Sequence, residues 1–201
     1  TYTVASKARL DFGSGVRTLG SLSLLSSQGT VSVNGATIDV SGAYSLASAG
    51  SRIEIDSGAL RLNSAGTLNQ VVMSGGTLGG TGNLTVSGTF SVTPGSAAYS
   101  TLDGAATFST PNQSAIDSGL FVSGGRTWNN AGTLNITGAS GYVNLDSGSS
   151  LSNLSTGTIN LSGSDPNPVY SSGTGSFSNA GLLVHSGAHA HSIGVSGFVN
   201  T

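Results

Sequence analysis

No cysteine occurs among the 201 residues, so no thiolate is on offer as a nucleophile or as a metal ligand. Charge is scarce as well: only 7 % of residues are Asp, Glu, Lys or Arg, with six basic against eight acidic residues for a net charge of -2. A nucleic-acid-binding chain would carry a basic patch or stripe, and none can be assembled here. No apolar run approaches the ~20 residues of a membrane-spanning helix, so insertion of this segment into a bilayer is not expected. No Gly-x-Ser-x-Gly elbow is present, and the three histidines sit near one end with no acid closer in sequence than Asp165. That leaves no catalytic triad.

What the chain does contain is glycine, 32 residues of it, together with abundant Ser and Thr and a 36 % share of hydrophobic residues. Disordered chains lack that apolar content. Here it falls in short alternating pairs, the signature of strands with one buried side. Laying Ser21 to Gly42 over Ala43 to Ser64, a shift of 22, aligns three pairs. Leu22 and Leu24 fall on Tyr44 and Leu46, Val31 and Val33 on Ile53 and Ile55, and Ile38 and Val40 on Leu60 and Leu62. Gly, Ser, Asn or Asp lies between the pairs, where turns belong. Val71 to Leu84 repeats Val31 to Tyr44 with a shift of 40.

In the last third the frame becomes a large apolar residue, then x-Asn, a gap, Gly and an apolar residue or pair. Trp128, Leu151, Phe177 and Phe198 fill the large slot, at spacings of 23, 26 and 21, and Asn130, Asn153, Asn179 and Asn200 follow two residues behind. Taken alone, "RTWNNAG" allows two readings of Trp128, an exposed sugar platform or a core plug. The repeated slot favours the plug, with the asparagines expected to form an amide ladder up the axis. The chain ends inside such a repeat, and it opens on "TYTVASKARL" with neither an initiator Met nor a leader sequence, so an excised segment of a longer array is expected.

Three short strands per 21 to 26 residues, with no 3.6-residue period, predict an all-β fold: a single-stranded parallel β-helix, or β-solenoid. About nine coils stacked at the ~4.8 Å strand spacing give one segment over residues 1–201, on the order of 45 Å long. The general commonness of right-handed β-helices makes that hand the expectation. All four prolines fall in two stretches that break the frame, 93–126 and 164–176, which predicts loops leaving the barrel there.

The candidate site residues are few. His189 and His191 stand two apart, a spacing that can chelate a divalent metal, and His185 is a possible third ligand. The alternative is polar decoration of the outer surface. Glu54 and Asp56 point outward if Ile53 and Ile55 point in, and the shift of 22 puts Asn34 beside Asp56. Such a cluster can hold Ca²⁺ or serve polysaccharide cleavage; the alternative is a solvated surface with Asp39 paired to Arg61 on the next coil. Gly79 to Val86 approaches the Ca²⁺-binding nonapeptide but has Leu84 where its Asp must stand. Asn-x-Ser/Thr at Asn83, Asn112, Asn135, Asn153 and Asn160 is what chance gives in so Asn-, Ser- and Thr-rich a chain.

Phrases such as "SGGTLGGTGNLTVSGTF" and "NNAGTLNITG" resemble the passenger and stalk regions of bacterial surface β-helix adhesins, the autotransporter-like and filamentous-haemagglutinin-like repeat proteins. The resemblance implies an exported, extracellular, elongated module without catalysis or cofactor. Its implied partner is a host or neighbouring-cell surface, glycan or protein. Two alternatives stand beside it: a polysaccharide-binding or polysaccharide-cleaving β-helix of the pectate-lyase or tailspike kind, and a trimeric fibre module. Sequence leaves the oligomeric state open.

Overall fold

The computed structural model describes residues 1–95 and 97–201; Ser96, inside the stretch 93–126, lies outside the described residues. The fold is an all-β solenoid of about nine turns, with 26 strands among the described residues, paired in parallel. Each coil lays down three strands, and successive coils stack them into three ladders.

The first ladder runs from Arg9–Phe12 through the leading halves of Thr30–Val40 and Arg52–Leu62. It continues as Gln70–Met73, Phe90–Val92, Gln113–Ile116, Thr133–Ile136, Thr158–Leu161 and Leu182–His185. The second runs from Val16–Leu19 through the trailing halves of the same two long strands. It continues as Thr77–Gly79, Tyr99–Leu102, Gly119–Val122, Tyr142–Leu145, Val169–Tyr170 and Ile193–Gly194. The third has a short part, Tyr2–Val4, Leu24–Ser27 and Ala43–Ser45. The bridge from Leu46 to Leu68 joins it to Gly66–Leu68, Leu84–Val86, Thr107–Thr110, Thr127–Asn130, Ser150–Asn153, Ser176–Asn179 and Gly197–Asn200.

The apolar pairs found in sequence are the inward residues. Val31 stacks on Ile53, Val33 on Ile55, Ile38 on Leu60 and Val40 on Leu62, all fully buried. One continuous core cluster runs from Val4 to Phe177. Burying such side chains at roughly 1.5–3 kcal/mol each is the main drive for stacking, and no coil can do it alone.

The alignment of Leu22 and Leu24 with Tyr44 and Leu46 does not hold. Leu25, fully buried, lies opposite Tyr44, while Leu22 is fully exposed and Leu24 lies opposite Ala43. The run Leu22-Ser23-Leu24-Leu25 contains two alternations out of phase, and the coil uses the second. Most of 93–126 also keeps the coil. It holds the strands Tyr99–Leu102, Thr107–Thr110, Gln113–Ile116 and Gly119–Val122. Their inward positions include Ser100, Thr110 and Ser114, all buried, which hide the apolar alternation.

The connections from first to second ladder vary most. They shrink to a bulge inside Thr30–Val40 and widen to 117–118, 137–141, 162–168 and 186–192 farther along. Pro94, Pro166 and Pro168 all occupy this one corner, as do His189 and His191.

Candidate functional site

Trp128 is fully buried in the third ladder, with Phe108 before it and Leu151, Phe177 and Phe198 after it in register. Its ring meets Phe90 and Phe108 edge-on at 5.7 and 6.1 Å, and its indole N–H donates to Thr110 Oγ1 at 2.9 Å. Phe198, in the last coil, is 46 % exposed. Beside this file, Asn130 Nδ2 donates to Asn153 Oδ1 (2.8 Å), Asn153 to Asn179 (2.7 Å) and Asn179 to Asn200 (2.6 Å). The amides also donate to the carbonyls of Gly132, Gly157 and Gly181. These residues build the scaffold.

The carboxylate cluster is not assembled. At the corner bulge the register slips locally, so Asn34 faces Ser57, whose Oγ donates to Asn34 Oδ1 at 3.2 Å. Asp56 instead accepts from Ser74 Oγ. Glu54 is held by two arginines, Arg9 from two coils earlier and Arg52 from its own strand (Nε to Oε1, 2.6 Å), while Arg9 also donates to Ser32 Oγ and Asp11. Burial acts to raise the Glu54 carboxyl, but the hydrogen bonds from Arg9 and Arg52 outweigh it and hold it below its ordinary value. A carboxylate so paired is a cross-coil clamp rather than a general acid. Asp39 lies opposite Arg61, as the shift requires, yet it accepts from Asn63 Nδ2 and makes no ion pair with Arg61.

The histidines do not converge on a metal. His185 and His191 rings stand 4.7 Å apart, but each spends Nε2 on a backbone carbonyl, His185 on that of His189 and His191 on that of Gly163. His189 is exposed, in a bend at the corner outside any strand. Among the described residues no group of three His, Cys, Asp or Glu can hold a metal ion.

The second ladder carries what sequence reasoning missed, an outward file of aromatic rings. Tyr99, Phe121, Tyr142 and Tyr170 stand on four successive coils, with centroids 4.4, 6.2 and 5.5 Å apart. They alternate between two strand positions. Tyr99, Gly119 and Tyr142 share one register, and Phe121, Asn144 and Tyr170 the other. Gly119 makes the packing possible: a Cβ there would lie 2.5 Å from Cζ and Oη of Tyr142, so that ring lies across the bare glycine backbone. Tyr99 is 48 % exposed, and the other three rings are partly exposed.

The corner loop 162–168 walls the file. It is tied down by Val143 N–H to the Pro168 carbonyl at 2.9 Å and Ser192 N–H to the Pro166 carbonyl at 2.8 Å. Asp165, Pro166 and Asn167 share a cleft of about 560 Å³ with Tyr142, Tyr170 and Gly194. Burial raises the Tyr142 phenol above its ordinary value, with Tyr170 and Asp165 adding to the effect, so it stays a neutral O–H donor at neutral pH. The signal for this file was present as Tyr99, Phe121, Tyr142 and Tyr170, but their spacings of 22, 21 and 28 match no single shift. No family model, curated protein or solved structure matches the chain.

Proposed function

We propose that the chain is a non-catalytic structural and adhesive module of an exported bacterial surface protein, a solenoid that acts as a stalk and presents loops for attachment to a cell surface or glycan. The observation that carries this reading is that the corner between the first and second ladders varies most in length, from a bulge within one strand to seven residues. Loops of two to seven residues replace one another between the first and second ladders, while the strands on either side keep their register. A rigid ladder with a line of loops along one edge is suited to presentation. The carboxylates support a scaffold role too, since Glu54 is committed to a clamp and Asp56 to a serine.

The test displays the chain on a non-adherent bacterium and measures attachment to host or neighbouring cells. A parallel reducing-sugar assay runs on the purified protein with polysaccharides. Attachment without sugar release is expected. Release of product sinks the non-catalytic reading, and absence of attachment sinks the adhesive one.

A further inference from the structure

We propose that the aromatic file of the second ladder, with the wall formed by 162–168, is a binding track for an extended, uncharged oligosaccharide. This deepens the attachment reading above and rests on it. The outer side of a half-buried strand ordinarily carries polar residues. The file instead presents phenol and phenyl rings among Ser, Thr and Asn, the mixture of flat apolar surface and polar edges that suits a pyranose, with its apolar C–H side and hydroxyl rim.

The spacing fits as well. Successive rings belong to successive coils, which rise by ~4.8 Å, and an extended pyranose chain advances by a similar distance per sugar. Tyr142, laid across Gly119, has its ring along the sheet surface, while Asp165, Asn167 and the Tyr142 hydroxyl rim the cleft with acceptors and donors. Charge selects the ligand class. Five of the six cations lie in residues 1–62, and the sixth, Arg126, is buried, whereas Asp103, Asp117, Asp146 and Asp165 all belong to the part of the chain that carries the track. A sulfated or sialylated glycan would meet carboxylates without an exposed cation to offset them.

The test is a printed array of neutral, sialylated and sulfated glycans, followed by titration of the best neutral binder against variants whose far-UV circular dichroism matches wild type. Neutral extended glycans are expected to bind. Tyr142→Ala and Tyr170→Ala should each weaken binding about tenfold or more. Tyr142→Phe should retain most of it, and His189→Ala, at the same corner but off the track, should retain all of it. Gly119→Ala, which touches no ligand, should also weaken binding by displacing the Tyr142 ring.

Preference for sulfated or sialylated glycans, unchanged binding in both alanine variants, or no neutral glycan bound would each overturn the proposal. So would a dimer in wild type that Tyr142→Ala dissolves, since the file would then be covered by a second copy. Cell attachment that persists without glycan binding defeats the track and spares the adhesive reading. Neutral-glycan binding without attachment does the reverse.

Discussion

At Asn153 the amide is both donor and acceptor in one file: it accepts from Asn130 and donates to Asn179 and to the carbonyls of Gly157 and Leu182. Replacing it by alanine strands a buried acceptor on Asn179, takes a donor from the Gly157 and Leu182 carbonyls and leaves Asn130 Nδ2 only the Gly132 and Thr158 carbonyls. The expected loss is about 2–5 kcal/mol, read as a lower urea midpoint. Gly157 is the other half of the frame, since a Cβ there would sit 2.3 Å from Asn153 Oδ1 and 2.5 Å from the Asn130 carbonyl. Gly157→Ala should therefore destabilise despite alanine's ordinary preference over glycine. Trp128→Ala should cost about 3–5 kcal/mol. Because Trp128 is the single tryptophan and fully buried, its emission should be blue-shifted and should move to the red as the middle coils open. This file was legible in sequence because the same slot recurs with the same companion asparagine. The aromatic track was not, because Gly119 and Asn144 break each of its two registers and the rings fill alternate positions.

Among elements, the opening coils are cross-linked on the first ladder by Arg9, Ser32, Glu54 and Arg52. Glu54 and Asp11 both sit below their ordinary values, the latter through hydrogen bonds from Ser32 and Arg9. A depressed carboxyl contributes stability that is present above the ordinary pKa and lost as pH falls through the folded value. The first three coils should thus loosen below about pH 4. Hydrogen exchange of Arg9–Phe12 against pH checks this, and Glu54→Gln should flatten the response at a cost within about 1 kcal/mol at neutral pH. The alkaline side has its own reporter. Burial pushes the Tyr44 phenol up to about 12, and its O–H donates to the Ser64 carbonyl at 2.7 Å. That raised value contributes stability present below the ordinary value of 10 and lost as pH rises through about 12. Tyr44→Phe should remove the late step in a phenolate absorbance titration. The clamp escaped sequence analysis because Arg9 and Glu54 are 45 residues apart, two coils rather than one.

Over the whole molecule, strand pairing runs only between neighbouring coils, with the Arg9–Glu54 clamp and the Arg126 bond to the Gly80 carbonyl reaching one coil farther, so stability should be distributed largely as in a one-dimensional stack. The coils around Thr107–Thr110, Thr127–Asn130 and Ser150–Asn153 have partners on both sides and the largest buried rings, whereas Gly197–Asn200 is exposed along its length. Amide exchange should be slowest in the former and fastest in Gly197–Asn200 and Tyr2–Val4. Uniform exchange along the chain would show that the stack unfolds as a single unit. The coil period was readable from apolar pairs alone. Positions of individual polar contacts were not, because a bulge at a corner moves a side chain by one place without disturbing the core register on either side.

The corner between the first and second ladders also separates what selection can alter from what it must keep. Segments of two, five and seven residues already occupy the same place in successive coils, and the inward residues before and after them stay in step. Length there is thus a nearly free variable, with a closure cost that grows only as the logarithm of the added residues. A foreign peptide spliced between Gly187 and His189 should leave the circular dichroism of the solenoid unchanged. The same splice within Thr127–Asn130 should abolish it. For a lineage under pressure to change what it displays, or for an engineer, that edge is where novelty can be introduced without rebuilding the rod.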